Sequence, residues 1–151
     1  MQSEKIESIL KKAVSRENSS YQLYKKAANN AKDVNTKSFL NKLAERELKH
    51  KQAIEDFNIE ILKRQEIEIN ETFLQDIEGY FIMDEGIRED SDFSDVLDYA
   101  VKREKKSFVF YSTLSKLIDD PDLQKLLVWL AQEELKHKED LFREQSVIKG
   151  L

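Results

Sequence analysis

The pentapeptide Glu47-Leu-Lys-His-Lys51 recurs unchanged as Glu134-Leu-Lys-His-Lys138, and the chain's only two histidines lie inside the two copies. Sliding the chain by the same offset of 87 residues places Ala13, Val14, Arg16 and Glu17 on Ala100, Val101, Arg103 and Glu104. Tyr24 then falls on Tyr111, and Leu40, Leu43 and Ala44 fall on Leu127, Leu130 and Ala131. Self-similarity at a fixed period decides architecture before any single residue is interpreted. Each half reads as the same helical hairpin.

Within each half, core positions recur with the three-and-four spacing of an amphipathic helix. Helix one carries Ile6, Leu10, Ala13, Glu17, Ser20, Tyr24, Ala27 and Ala31, and helix three carries Phe93, Leu97, Ala100, Glu104, Ser107, Tyr111, Leu114 and Ile118. Helix two runs Leu40, Leu43, Glu47, His50, Ile54, Phe57 and Ile61, while helix four runs Leu127, Leu130, Glu134, His137 and Leu141 before fading at Glu144. Asp33-Val-Asn breaks the first hairpin, and Asp119-Asp-Pro121 breaks the second, with Asp120 as N-cap and Pro121 at the first helical position. The expected organisation is a single domain over residues 1–151, with hairpins at 3–65 and 92–148 joined by a crossover at 66–91. Phe73, Ile77, Tyr80 and Phe81 give that crossover its own apolar spacing, which predicts a short helix packed on the outside. The class is all-α, a four-helix bundle of two duplicated hairpins related by a pseudo-twofold axis, with the crossover expected to return the chain to the starting end.

Composition agrees and narrows the function classes. The 151 residues include 30 acidic and 25 basic ones, for a net charge of −5 with both signs interspersed, so no basic face is offered to nucleic acid or an anionic membrane. Three Gly and one Pro are too few for a many-turned β fold. The absence of Cys excludes disulfides, thiolate-bound zinc, iron–sulfur clusters and thiol catalysis. No long uncharged apolar run is present, and a cytoplasmic protein is expected.

At one level the apolar stripes give way to ionisable residues: Glu17, Glu47 and His50, then Glu104, Glu134 and His137. A Glu and a His three positions apart lie about 60° apart and about 4.5 Å apart along one helix, so both reach one inward point. Glu17 and the Glu47/His50 pair each lie about 23 to 24 Å from the intervening turn, and the second hairpin repeats this, so all six side chains meet at one height. Buried carboxylates without counter-charge cost several kcal/mol each. Two divalent cations would cancel four of them, and a donor set of hard oxygens with imidazoles suits iron or manganese.

This pattern resembles the rubrerythrin family of the ferritin-like superfamily, on Glu17, Glu104 and the two copies of Glu-Leu-Lys-His-Lys. The resemblance implies a ferritin-like bundle with two iron ions: Glu17 and His50 on one, Glu104 and His137 on the other, and Glu47 and Glu134 bridging. It implies an open metal position for hydrogen peroxide or dioxygen, and an oxidoreductase drawing electrons from a rubredoxin-like donor protein, because no Cys is available for a rubredoxin module in this chain. A homodimer is expected. Where rubrerythrins carry a further Glu one turn after the third-helix ligand, this chain has Ser107, matched by Ser20. Where bacterioferritins place a haem-binding Met, it has Leu48, so no haem is expected. The alternatives are a ferritin-like ferroxidase that handles iron and a di-manganese catalase.

Tyr24 and Tyr111, seven residues after the terminal glutamates, could hydrogen-bond a ligand carboxylate or simply pack in the core. Ser20 and Ser107 either leave room for a small oxidant or let helices one and three approach. Trp129 reads as a core or interface residue in preference to an electron relay.

Overall fold

The computed structural model describes residues 2–61, 68–69 and 92–150. Four long helices form the bundle: α1 (Gln2–Asn30), α2 (Val34–Ile61), α3 (Phe93–Leu117) and α4 (Pro121–Lys149), with a pair of two-residue strands, β1 (Glu68–Ile69) and β2 (Ile118–Asp119). None of the described helices is long and apolar enough to cross a membrane.

Acidic caps start three of the helices. Asp33 accepts from the Thr36 backbone N–H at 2.9 Å, Asp92 from Asp95 at 2.8 Å and Asp120 from Leu123 at 2.8 Å. Each satisfies one backbone donor that the first turn leaves without an intrahelical partner. Pro121 at the start of α4 loses nothing by lacking an N–H, since that donor has no helical acceptor in any case. At the far end of α4, Gly150 adopts a left-handed φ of 69° and closes the helix onto the carbonyls of Ser146 and Val147.

The apolar stripes pack into two clusters that fix how the hairpins are oriented. One joins the start of α1 (Ile6, Leu10, Ala13) and Ile54 of α2 to the end of α3 (Tyr111, Leu114) and the start of α4 (Leu123, Leu127, Leu130). The other joins Tyr24, Ala28, Leu40 and Leu43, around the first turn, to Val96, Leu97 and Ala100 at the start of α3 and Leu141 late in α4. α1 and α3 are therefore antiparallel, and the two hairpin turns lie at opposite ends. The crossover carries the chain to the end opposite the starting one, correcting the sequence expectation. Glu17 and Glu104 sit near mid-helix, where either orientation of the hairpins brings the ionisable residues level.

β1 marks the path of the crossover as it leaves α2. It pairs antiparallel with β2, Glu68 opposite Asp119 and Ile69 opposite Ile118. Ile118, assigned above to the last position of the third helical stripe, instead has extended backbone (φ −105°, ψ 134°), with its side chain buried. A β-branched residue accepts that geometry readily, and its carbonyl is held by the Gln124 side chain at 2.7 Å. The short helix expected around Phe73, Ile77, Tyr80 and Phe81 lies outside the described residues.

Candidate metal centre

Between the two apolar clusters runs a buried polar layer containing Glu17, Glu47, His50, Glu104, Glu134 and His137, each no more than 2% exposed. The helical period leaves them no alternative: they occupy stripe positions whose neighbours one turn away are core residues. Leu97, Leu127, Leu130 and Leu141, all fully buried, flank the layer and exclude water from it. Each such leucine contributes roughly 1.5–3 kcal/mol by burial, which offsets part of the cost of the carboxylates.

The histidines stack, with ring centroids 5.1 Å apart and planes within 10°. His50 Nδ1 lies 2.9 Å from Glu134 Oε1, 3.7 Å from Glu17 Oε2 and 3.9 Å from Glu47 Oε2. His137 Nδ1 lies 3.6 Å from Glu47 Oε1 and 3.7 Å from Glu104 Oε2. Glu17 and Glu104 thus stand at the same distance from their respective histidines, and Glu47 reaches both. One ligand atom from each of Glu47, His50, Glu134 and His137 falls within 4.8 Å of the other three.

Tyr24 on α1 donates to Glu104 Oε1 on α3 at 2.8 Å, and Tyr111 on α3 donates to Glu17 Oε1 on α1 at 2.5 Å. Each tyrosine crosses the pseudo-twofold axis to the carboxylate of the other hairpin. Both are fully buried, so they pack and hydrogen-bond at once.

Among the described residues, seven buried atoms of the cluster have no hydrogen-bond partner: Glu17 Oε2, Glu47 Oε1, Glu104 Oε2, both Glu134 carboxylate oxygens, and Nδ1 of His50 and His137. An unsatisfied buried polar atom costs roughly 1–3 kcal/mol. Seven in one layer would rival a whole domain's net stability of roughly 5–15 kcal/mol. All seven are atoms that coordinate cations, and their convergence fits a pair of metal ions.

Proton affinities split by position. Burial and the charges of Glu104 and Glu17 push the Glu47 and Glu134 carboxyls well above their usual range. Burial also acts to raise Glu17 and Glu104, but is outweighed. The neighbouring Glu47, His50 and Tyr111 leave Glu17 below its usual range, and Glu134 and His137 do the same for Glu104. Burial lowers His50, yet the Glu17 carboxylate beside it raises it overall. Tyr24 is raised well above a free phenol by burial and by Glu104, so its hydroxyl stays a donor. Protonation is thus favoured on the inner pair and ionisation on the outer pair.

Ser20 and Ser107 have a different task. Ser20 accepts from Arg103 Nε at 2.6 Å, and Ser107 donates to the Arg103 carbonyl at 3.1 Å. Arg103 also donates to the Arg16 carbonyl at 3.0 Å, so its buried guanidinium clasps α3 to α1 beside the polar layer. The small hydroxyls let that guanidinium fit between the helices. The role of Arg103 was not read from sequence, although Arg16 and Arg103 recur at matching positions, each just before a core Glu. Trp129 is not a core residue: it is 41% exposed, and its ring meets His50 edge-on.

Residues 95–149 match the Rubrerythrin family model. This rubrerythrin match spans most of α3 and all of α4, and so includes Glu104, Glu134 and His137. No curated protein matches the chain. Among solved structures, a hypothetical protein from Pyrococcus furiosus superimposes with a TM-score of 0.74 at 20% identity, covering 95% of this chain and 90% of that one. At that identity the likeness is one of fold, and it is consistent with the four-helix bundle.

Proposed function

We propose that this protein is a rubrerythrin-type di-iron oxidoreductase that reduces hydrogen peroxide, or reacts with dioxygen, with electrons from a separate donor protein. The observation that carries the reading is the set of seven unpartnered cation-coordinating atoms in one buried layer. Glu17 and His50 would hold one iron, Glu104 and His137 the other, and Glu47 and Glu134 would bridge, in keeping with the distances of both histidines to the inner carboxylates. Bound there, two ions of variable valence supply the two electrons that peroxide needs. Tyr24 and Tyr111 orient the outer carboxylates from the opposite helix, fixing which oxygen faces the metal and which faces the hydroxyl. The apolar clusters above and below keep bulk water from the layer.

Metal analysis after anaerobic purification, followed by rapid mixing of the reduced protein with peroxide and with dioxygen, tests the proposal. About two metals per chain are expected, since two divalent charges balance four carboxylates. Faster oxidation by peroxide than by dioxygen is also expected. A content near one or zero after reconstitution would overturn the reading. Iron mineral accumulating beyond two ions would favour iron handling, and dioxygen release from peroxide without a donor would favour a manganese catalase.

A further inference from the structure

Electrons from an external donor must cross the protein to reach a layer that is almost completely buried. Tyr24 and Tyr111 touch its carboxylates, but both are fully buried and present nothing to a donor. Trp129 differs from them in reaching both solvent and the site. Its indole is 41% exposed on α4, and its ring centroid lies 5.6 Å from that of His50, with the planes at 85°. His50 in turn brings Nδ1 to within 2.9 Å of Glu134 Oε1. One imidazole therefore separates an exposed indole from the atoms that would hold metal.

The duplication does not repeat this contact. Shifting Trp129 back by 87 residues gives Lys42, which is exposed and has no aromatic ring. The ligand set repeats across the two hairpins, yet the indole is present beside His50 alone. Packing does not demand it, because a side chain 41% exposed gains only part of the stabilisation of a buried aromatic. Indole is also, with phenol, among the side chains most easily oxidised by one electron.

We infer that Trp129 is the positioning residue through which a one-electron donor protein delivers electrons to the metal pair, by way of His50. This rests on the proposed oxidoreductase function. Two donor molecules would each lose one electron, passed by way of Trp129 and His50 towards the layer of ligand residues. Overall, one hydrogen peroxide would take up those two electrons and two protons, break its O–O bond and leave as two waters. Among the described residues the His137 side has no such route, so electrons would enter the symmetric ligand set from one side.

The test uses iron-loaded full-length protein with Trp129→Phe, which keeps an aromatic ring but is hard to oxidise, and Trp129→Tyr, which restores an oxidisable ring. A reduced rubredoxin serves as donor. Trp129→Phe is expected to slow reduction of the oxidised metal pair at least tenfold, a barrier increase of about 1.4 kcal/mol. Trp129→Tyr should recover most of that loss. Iron content and the single-turnover oxidation of the reduced form by peroxide should stay unchanged in both variants. As Trp129 is the chain's only tryptophan, a readout independent of turnover is available. Flash excitation should produce the visible absorption of an indole radical in ferric-loaded protein but not in protein loaded with redox-inert zinc. Equal reduction rates in wild type and Trp129→Phe, or an indole radical that forms equally with zinc, would overturn the inference. Failure of reduced wild type to react with either oxidant would instead overturn the oxidoreductase reading.

Discussion

At the residue scale, the division between inner and outer carboxylates has measurable consequences. Burial and the neighbouring carboxylates raise Glu47 and Glu134, so both carboxyls favour the protonated form in the metal-free protein. A metal displaces those protons, so loading should release about two per chain, and affinity should fall as the pH falls. Calorimetric titration in buffers of different ionisation enthalpy measures the release, and a value near zero would contradict this proton distribution. Replacing Glu47 or Glu134 with Ala should weaken metal binding more than replacing Glu17 or Glu104, since a bridge serves two ions. Equal losses would count against the bridging assignment. Tyr24→Phe and Tyr111→Phe remove matching hydrogen bonds to outer carboxylates, and each should cost roughly 10–100-fold in affinity for the metal on that side. The glutamates and histidines were legible in the sequence because they interrupt an apolar stripe. Which carboxylate each tyrosine would reach was not, because its partner is 80 or 94 residues away in the chain.

At the element scale, the helices follow from period and punctuation. The 3,4 spacing and Asp120 before α4 were readable as stripes and a cap, whereas Asp33 was readable only as a break between helices; both aspartates accept the backbone hydrogen bond of a cap. Asp120→Ala should destabilise the protein by about 1 kcal/mol, the usual loss when an N-cap side chain is removed. Leu127→Ala, in the fully buried start of the same helix, should cost roughly 2–5 kcal/mol. Denaturant unfolding of the two variants side by side checks both the size and the order, and an Asp120 variant as damaged as the Leu127 one would show that the cap does more than start α4. The β1–β2 pairing was not legible. Two residues are too short a run for alternation to register, and a buried Ile118 fits a helical stripe as well as a strand.

At the scale of the whole molecule, the buried layer makes stability depend on pH and on metal. Glu47 and Glu134 have folded-state affinities for protons above those of the unfolded chain, so their contribution is full below the unfolded carboxylate range and is lost as pH rises through the folded values. Glu17 and Glu104, lowered on folding, contribute above that range and lose their contribution as pH falls through it. Metal-free protein should therefore be most stable under mildly acidic conditions and weaken as pH rises. Metal-loaded protein should lack that alkaline loss, because cations replace the protons. Thermal unfolding with and without a chelator across pH measures the difference, and parallel curves would show that the layer takes up no cation. Glu47→Gln with Glu134→Gln should abolish metal binding while leaving the metal-free fold about as stable at neutral pH, since the amide, like the protonated carboxyl it replaces, puts no charge into the buried layer.

The sequence by itself determined the duplication, the four helices, the breaks at Asp33-Val-Asn and Asp119-Asp-Pro121, and the six ionisable residues that share one height. These are local or periodic properties, written in spacings of three, four and 87 residues. Tertiary structure alone decided that the hairpins run antiparallel, that Tyr24 and Tyr111 exchange carboxylates across the pseudo-twofold axis, that Arg103 clasps α1, and that Trp129 leans on His50 from the surface. Each of these depends on how one helix faces another. Helical period fixes the direction in which a side chain points from its own axis, but leaves open which neighbour stands there.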